Sequence, residues 1–197
     1  ELYDTQNDPH NINNLAEKTE YKKILEKMRN ANIEHIIKTH DAGFIPEGEM
    51  LRLAEKKNCT PYELVRRKNL PMERIVITAE LATQRDAKKL NEIINRLKDP
   101  DSVVRYWAAT GCAVLAEKAK PADAELKTML DDESPEVRIA AAEALCNMGM
   151  AEIGLPVIEK TLSHKNKKAA LRAVNAFQAL GEKAKPAIHL IRKAQKR

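Results

Sequence analysis

The stretch DPDSVVRYWAA at residues 99–109 recurs as DESPEVRIAAA at residues 132–142. Position 99 thus corresponds to position 132, a period of 33 residues, and each copy starts with Asp, continues with Val-Arg and runs into Ala. A fixed period of this length is typical of arrays of stacked helices. Residues 99–149, which contain both copies, therefore predict an all-α fold built from repeated pairs of helices.

The same repetition continues towards the C-terminus. The string LAEKAKP at residues 115–121 returns 65 residues later as LGEKAKP at residues 180–186. Larger apolar residues at helical spacing are interleaved with small Ala residues, which is the pattern of closely packed helices. One pair of helices cannot bury its apolar face alone, so the units must stack. We therefore expect an α-α superhelix whose units span residues 99–130, 132–162 and 163–195.

These units resemble HEAT repeats. In that family an Asp in the turn and an Arg early in the following helix allow successive units to bridge by charge-assisted hydrogen bonds. The resemblance implies a series of such pairs, which we call the Asp–Arg ladder. Its expected members are Asp99, Arg105, Asp132 and Arg138.

The ladder is expected to be incomplete at both ends. The third unit has His164 and Ala170 where Asp and Arg would stand, and a terminal repeat commonly differs in this way. On the other side, Arg66 and Met72 occupy the corresponding positions, so the ladder should begin only at Asp99.

Composition agrees with a helical protein packed by Ala, Leu and Ile, since 43% of residues are hydrophobic and only 4% are aromatic. No apolar run approaches the roughly 20 residues of a membrane span, so we expect no membrane partner. The formal net charge is +5, and from residue 163 onward ten Lys or Arg residues face a single Glu. A basic end can attract nucleic acid. The scarcity of aromatic residues and of base-reading motifs makes nucleic acid the least favoured partner, and a solvated outer face is the simpler interpretation.

Helix signals divide the chain into three predicted regions. Residues 1–16 are extended and then turn-rich, and residues 17–68 form a helical linker region that opens with a long amphipathic helix over residues 17–38. Residues 69–197 hold the HEAT-like repeats. The array should begin with a degenerate capping repeat whose helices precede Asp99.

Two local signals lie beside the array. The capping box TPYE at residues 60–63 predicts a short helix that ends near residue 68. Trp107, the only tryptophan, is expected to fill a junction between the repeats and the helices before them; a partner-binding anchor is the alternative.

A further resemblance concerns the start of the chain. The segment ELYDTQNDPHNINNLA, residues 1–16, resembles the closing motif of the sulfatase family, in which Glu-Leu-Tyr-Asp ends a small C-terminal sheet and Asn-Asn-Leu leads into a final helix. This implies that the segment is an extended remnant of a sulfatase C-terminal subdomain. The residues that carry the resemblance are Tyr3, Asp4, Asp8, Pro9, Asn13 and Asn14.

A second segment, HDAGFIPE at residues 40–47, resembles a segment that follows this helix in a bacterial branch of the sulfatases. Together the two segments imply that the chain, which begins with Glu rather than Met, is the C-terminal region of a longer sulfatase-like hydrolase. Such a parent would hydrolyse sulfuric esters, bind calcium and use formylglycine, and it would be periplasmic or extracellular if it is secreted. The matching residues are Asp41, Gly43, Phe44, Pro46 and Glu47.

No catalytic, cofactor-binding or metal-binding residue can be carried over from that family. The segment CTPYE at residues 59–63 imitates the Cys-x-Pro part of the formylglycine motif but has Glu63 where Arg is required. Three widely spaced cysteines favour buried small side chains over a metal site. The chain is therefore expected to be a non-catalytic module without a cofactor of its own. Its expected partners are the missing catalytic domain or another protein on the concave face of the array, and an independent HEAT-type binding scaffold is the alternative.

Overall fold

A computed structural model describes residues 1–66 and 70–187 of the chain, and both parts are helical. The α-helices, in chain order, are α1 (Lys22–Thr39), α2 (Glu47–Lys56), α3 (Pro61–Arg66), α4 (Met72–Thr83), α5 (Leu90–Arg96), α6 (Ser102–Leu115), α7 (Asp123–Thr128), α8 (Pro135–Asn147), α9 (Ala151–Thr161) and α10 (Lys167–Leu180). Short 3-10 turns lie at Thr19–Tyr21, Ala42–Phe44, Ala87–Lys89, Ala116–Ala122, Met129–Asp131 and Gly181–Ala187. Among the described helices, none is both long enough and apolar enough to cross a bilayer.

The chain divides into two compact units, Glu1–Asp41 and Ala42–Arg197, each of which makes most of its contacts within itself. In the first unit the N-terminal segment closes on itself, because the Leu15 N–H donates to the Leu2 carbonyl at 2.7 Å and the Leu2 N–H donates to Asn14 Oδ1 at 3.0 Å. Helix α1 follows, and most of its side chains are exposed. The predicted domain boundaries after residues 16 and 68 stay predictions.

The second unit is a stack of helices in sequence order. Helix α6 contacts both α4 and α8, and α8 in turn contacts α10, so these four first helices form a row. The second helices pack beside them: α5 contacts α6, and both α7 and α9 contact α8. The predicted fold class, an all-α helical repeat array, is confirmed. The final part of the third predicted unit, residues 188–195, lies outside the described residues.

Small side chains allow the first helices to approach closely. Ala108 and Ala109 of α6 are fully buried, as are Ala140 and Ala141 of α8. These residues belong to a core cluster that runs from α4 to α8, and a second cluster joins α8, α9 and α10. The Ala-rich positions of the repeat are therefore the positions at which one unit contacts the next.

Two of the three cysteines, Cys112 and Cys146, are packing residues in this core. Cys112 and Cys146 are buried, and no disulfide links them. Burial raises the pKa of each of these two thiols to about 12, so both stay protonated at neutral pH. A protonated, buried thiol behaves as a small apolar side chain.

The repeated string LxEKAKP forms the same backbone turn in two units. Ala116 has φ 50° and ψ −127°, and its counterpart Gly181 has φ 53° and ψ −120°. Glycine adopts this region without strain, whereas an L-residue with a Cβ does not. One unit of the array thus carries the residue suited to the turn, and another carries a strained alanine.

We predict opposite effects for exchanging these two residues. Ala116→Gly should raise the free energy of unfolding by about 1 kcal/mol because it removes backbone strain. Gly181→Ala should lower it by about 1 kcal/mol; no atom lies within 4 Å of the added Cβ, so only the backbone term operates. Urea unfolding of both variants measures the difference, and a change of the same sign in both would contradict the assignment.

Candidate functional site

The most completely hydrogen-bonded pair of the Asp–Arg ladder joins α6 to the turn before α8. The Arg105 guanidinium donates to both carboxylate oxygens of Asp132, from Nε at 2.7 Å and from Nη2 at 3.0 Å. Its Nη1 also donates to the carbonyl of Asp99, at 2.8 Å, in its own turn. Burial opposes the charge on Arg105, but the hydrogen bonds and the charge of Asp132 outweigh it and raise the pKa of Arg105. This pair fixes the spacing between two successive units.

The ladder also extends one unit upstream. Nε of Arg74, in α4, lies 3.2 Å from Oδ2 of Asp99. The prediction that the ladder begins only at Asp99 is therefore wrong. Met72 stands at the ladder position and has no guanidinium, but Arg74, two residues later, supplies one. The Arg74 side chain is 47% exposed, so this ion pair is expected to add little stability.

Arg138 repeats only half of this pattern. Its Nη1 donates to the carbonyl of Asp132 at 2.6 Å, as Arg105 does to the carbonyl of Asp99. Among the described residues no carboxylate pairs with Arg138, and the position that would supply one is His164. Burial lowers the pKa of Arg138, and the charge of Asp132 offsets this only in part.

A buried carboxylate, Glu49 of α2, is the centre of a polar cluster in the second unit. It is fully buried and accepts two hydrogen bonds from Arg52, at 2.9 and 2.7 Å. The Ser134 hydroxyl donates to its Oε2 at 2.6 Å, and the Ser102 hydroxyl donates to its Oε1. We call Glu49, Arg52, Ser102 and Ser134 the Glu49 cluster.

The two serines place this cluster at two helix N-termini. Ser102 is the first residue of α6, and Ser134 is the N-cap of α8. The positive ends of both helix dipoles therefore favour the negative charge of Glu49. Lys56 and Glu133 add an exposed ion pair at 2.8 Å between α2 and the same turn. Helix α2 is thus held against two successive units of the array.

Residues 122–195 match the family of HEAT repeats. The HEAT part of the resemblance is thereby confirmed for the second and third repeats, residues 132–162 and 163–195. No curated protein and no solved structure matches the chain. Nothing in these comparisons supports a sulfatase parent, which stays a prediction.

The segment before α2 also contacts the helical array. Nε1 of Trp107 donates to the Phe44 carbonyl at 2.8 Å, and the two rings lie 6.2 Å apart. Glu47 forms an exposed ion pair with Lys168 of α10 at 2.8 Å. Trp107 was predicted to fill a junction between the repeats and the helices before them. In the structure it contacts the turn that precedes α2, and its side chain is only partly buried.

The sulfatase-like residues of the first unit form local turns. Asp4 accepts hydrogen bonds from Asn7, and these bonds lower the pKa of Asp4. Asp8 accepts from the Asn13 N–H at 2.7 Å, and Asn14 accepts from the backbone of Leu2. The remaining motif residues of this unit are Tyr3 and Pro9, in the same segment, and Asp41, at its last position. Of the second motif, Gly43, Phe44, Pro46 and Glu47 belong to the second unit.

The described residues assemble no group of three or more His, Cys, Asp or Glu side chains that could hold a metal ion. The CTPYE segment has a structural role, since the Glu63 N–H donates to Thr60 Oγ1 at 3.2 Å and the Thr60 N–H donates to Glu63 Oε2 at 2.8 Å. This is the predicted capping box at the start of α3. The segment beyond Arg66 to which this helix was expected to extend lies outside the described residues.

Glu136, in the first turn of α8, is a second buried carboxyl, only 2% exposed. Within the described residues its Oε2 has no hydrogen-bond partner, because Arg172 is 3.8 Å away and binds Glu143 instead. A Cβ added at Gly48 would collide with Oε1 of Glu136, so α2 also packs closely here. Burial raises the pKa of Glu136 to about 7, with Arg172 opposing the shift and Glu49 adding to it.

Sequence reasoning missed the Glu49 cluster. A Glu three residues before an Arg on an amphipathic helix is usually an exposed pair. No local signal marks it, because Ser102 and Ser134 lie 53 and 85 residues from Glu49. In the structure Leu51 is 38% exposed although it is apolar, while Glu49 on the same helix is buried. Helix α2 therefore presents a polar side chain, rather than a fully apolar stripe, to the array.

We predict that neutralising Glu49 destabilises the second unit strongly. Glu49→Gln removes the carboxylate that Arg52 binds by two hydrogen bonds and leaves it only the half-exposed Glu133, 3.5 Å away. This should lower the free energy of unfolding by about 3 kcal/mol. Glu55→Gln, an exposed substitution on the same helix, should change it by less than about 0.5 kcal/mol. Chemical denaturation measures both, and equal effects would show that the cluster contributes no more than a surface pair.

The raised pKa of Glu136 predicts a pH dependence with a definite sign. Between about pH 4.5 and about pH 7 the folded chain retains a proton on Glu136 that the unfolded chain loses, so stability should fall as the pH rises. The difference between about 7 and the ordinary 4.5 corresponds to roughly 3 kcal/mol.

Glu136→Gln keeps the side chain neutral, so this variant should lose that part of the pH dependence and be more stable than the wild type at pH 8. Unfolding curves collected across this range measure the effect. The exposed Glu152→Gln serves as the matched control and should keep the wild-type slope. A wild-type slope in Glu136→Gln would contradict the assignment.

Proposed function

We propose that this chain is a non-catalytic interaction module, a HEAT-repeat scaffold that binds another protein. The observation that carries the proposal is the way the array holds α2. Two successive units present hydroxyl donors and helix N-termini on one edge, and these receive the buried Glu49 side chain. The edge of the array thus binds a helix within its own chain by specific polar contacts, which is the kind of recognition that a scaffold uses towards a partner.

The second helices offer a further surface for a partner. Helices α5, α7 and α9 pack against the first helices α6 and α8, and charged side chains such as Lys127 and Glu152 are exposed on them. In a repeat array such a row gives an extended surface to which each unit contributes. We propose that a protein partner binds along this row, on the concave face expected for a HEAT array.

We further propose that the array is the C-terminal appendage of a sulfatase-like hydrolase. The support is that residues of the second sulfatase-like segment contact the repeats directly, through Phe44 with Trp107 and Glu47 with Lys168. The parent would hydrolyse sulfuric esters with calcium and formylglycine held in a separate catalytic domain. That domain would then be a partner of the array, and a secreted parent would place both in the periplasm or outside the cell.

Binding by the second-helix row can be tested with paired variants. A protein retained on the immobilised chain is purified, and its Kd is measured against the wild type and against Lys127→Glu combined with Glu152→Lys. We expect at least about tenfold weaker binding by this double variant, equivalent to about 1.4 kcal/mol. Lys167→Glu, at the start of α10, is the control and should bind as the wild type does. Equal Kd values for all three proteins would contradict binding along this row.

The sulfatase proposal has a separate test. The coding sequence upstream of Glu1 should contain Cys/Ser-x-Pro-x-Arg within a catalytic domain, and the purified chain alone should hydrolyse no aryl sulfate. An upstream sequence without that motif would overturn the proposed parent. Hydrolysis by the pure chain would overturn its non-catalytic role.

A further inference from the structure

A cavity of about 690 Å³ lies where the second repeat, residues 132–162, meets the third, which begins at residue 163. Three cationic side chains, Arg138, Lys160 and Lys165, line it, and the one acidic side chain among the lining residues is Asp131. The other polar residues of the lining are Thr161, Ser163 and His164. Lys160 and Lys165 are exposed, whereas Arg138 and His164 are partly buried. The cavity therefore combines a positive rim with a partly desolvated guanidinium.

His164 occupies the same place in its turn as the two ladder aspartates do in theirs. Asp99 Oδ1 accepts from the N–H two residues later at 2.9 Å, and Asp132 Oδ1 does the same at 2.9 Å. His164 Nδ1 accepts from the Asn166 N–H at 3.1 Å. The third turn therefore keeps the geometry of the ladder but has lost its carboxylate.

The loss of that carboxylate leaves a defined set of donors. In Arg105, Nη1 binds backbone carbonyls while Nε and Nη2 bind Asp132. In Arg138, Nη1 binds the Asp132 carbonyl in the same way, and Nε and Nη2 have no partner among the described residues. Two parallel N–H groups of a guanidinium match the two oxygens of a carboxylate.

We propose that this cavity binds a carboxylate from an acidic segment of a partner polypeptide, which takes the place that Asp132 has on Arg105. The proposal rests on the proposed function as a protein-binding scaffold and names the chemistry of one contact. Arg138 is the bidentate donor, and Lys160 and Lys165 attract the acidic segment to the rim. Asp132 on Arg105 is the internal precedent for the geometry.

The test uses a short fluorescent peptide of alternating Asp and Glu, with its Asn and Gln counterpart as the uncharged probe. Fluorescence anisotropy at low salt should show binding of the acidic peptide only. Arg138→Gln should weaken it at least about tenfold, because a charge-assisted bidentate contact is lost. Lys118→Gln, the same charge change on an exposed residue away from the cavity, should stay within about twofold of the wild type.

A second variant keeps the test valid if Arg138→Gln folds poorly. His164→Asp should supply the missing carboxylate within the chain, pair with Arg138 and raise Tm. It should also weaken acidic-peptide binding at least about tenfold, because the site is then occupied. Peptide binding unaffected by His164→Asp would overturn the proposal.

Three other outcomes would also overturn it: no binding of the acidic peptide, equal binding of both peptides, or Arg138-dependent binding of a single-stranded oligonucleotide in place of the peptide. The outcome remains separable from the proposed function. If the acidic peptide does not bind while binding of a protein partner still depends on the second-helix row, only this site is refuted. If the peptide binds but no partner binds along the second-helix row, this site is supported and the proposed binding along the row is refuted.

Discussion

The structure of the second unit depends on one buried carboxylate. Glu49 is fully buried, and a buried charge is tolerated only when donors replace its lost hydration. Arg52 supplies two hydrogen bonds from the same helix, while Ser102 and Ser134 supply one each from successive units of the array. Because the donors come from two units, α2 has one position in which all of them are satisfied. The contact between Trp107 and Phe44 lies at the same junction and is consistent with that position.

The Asp–Arg ladder shows how a repeated motif acquires different roles along an array. At one end the Arg74–Asp99 pair is half-exposed and adds little stability. In the middle, Arg105 and Asp132 form a partly buried, bidentate pair that fixes the spacing of two units. At the other end Arg138 keeps its backbone contacts but lacks a carboxylate. The same side chain is therefore structural in one unit and available to a ligand in the next.

Much of the fold could be predicted because its signals are local or periodic. The 33-residue period places the helices of successive units in register, and the capping box at Thr60 begins α3 where its residues indicate. The Glu49 cluster could not be predicted, since Ser102 and Ser134 lie 53 and 85 residues away and no local pattern links them. Arg74 was missed because a long side chain reaches Asp99 from outside the expected register. The sulfatase-like segments make local turns and junction contacts, which suit many parents and identify none.

Glu49 couples α2 to two successive units of the array through the hydroxyl groups of Ser102 and Ser134. A double-mutant cycle between Glu49→Gln and Ser134→Ala, followed by urea unfolding, measures that coupling most directly. We expect the two substitutions to be non-additive by at least about 1 kcal/mol, because each removes one partner of the same buried hydrogen bond. Additive effects within about 0.3 kcal/mol would show that the two side chains stabilise the fold independently, which would contradict the coupling of α2 to the array through Glu49.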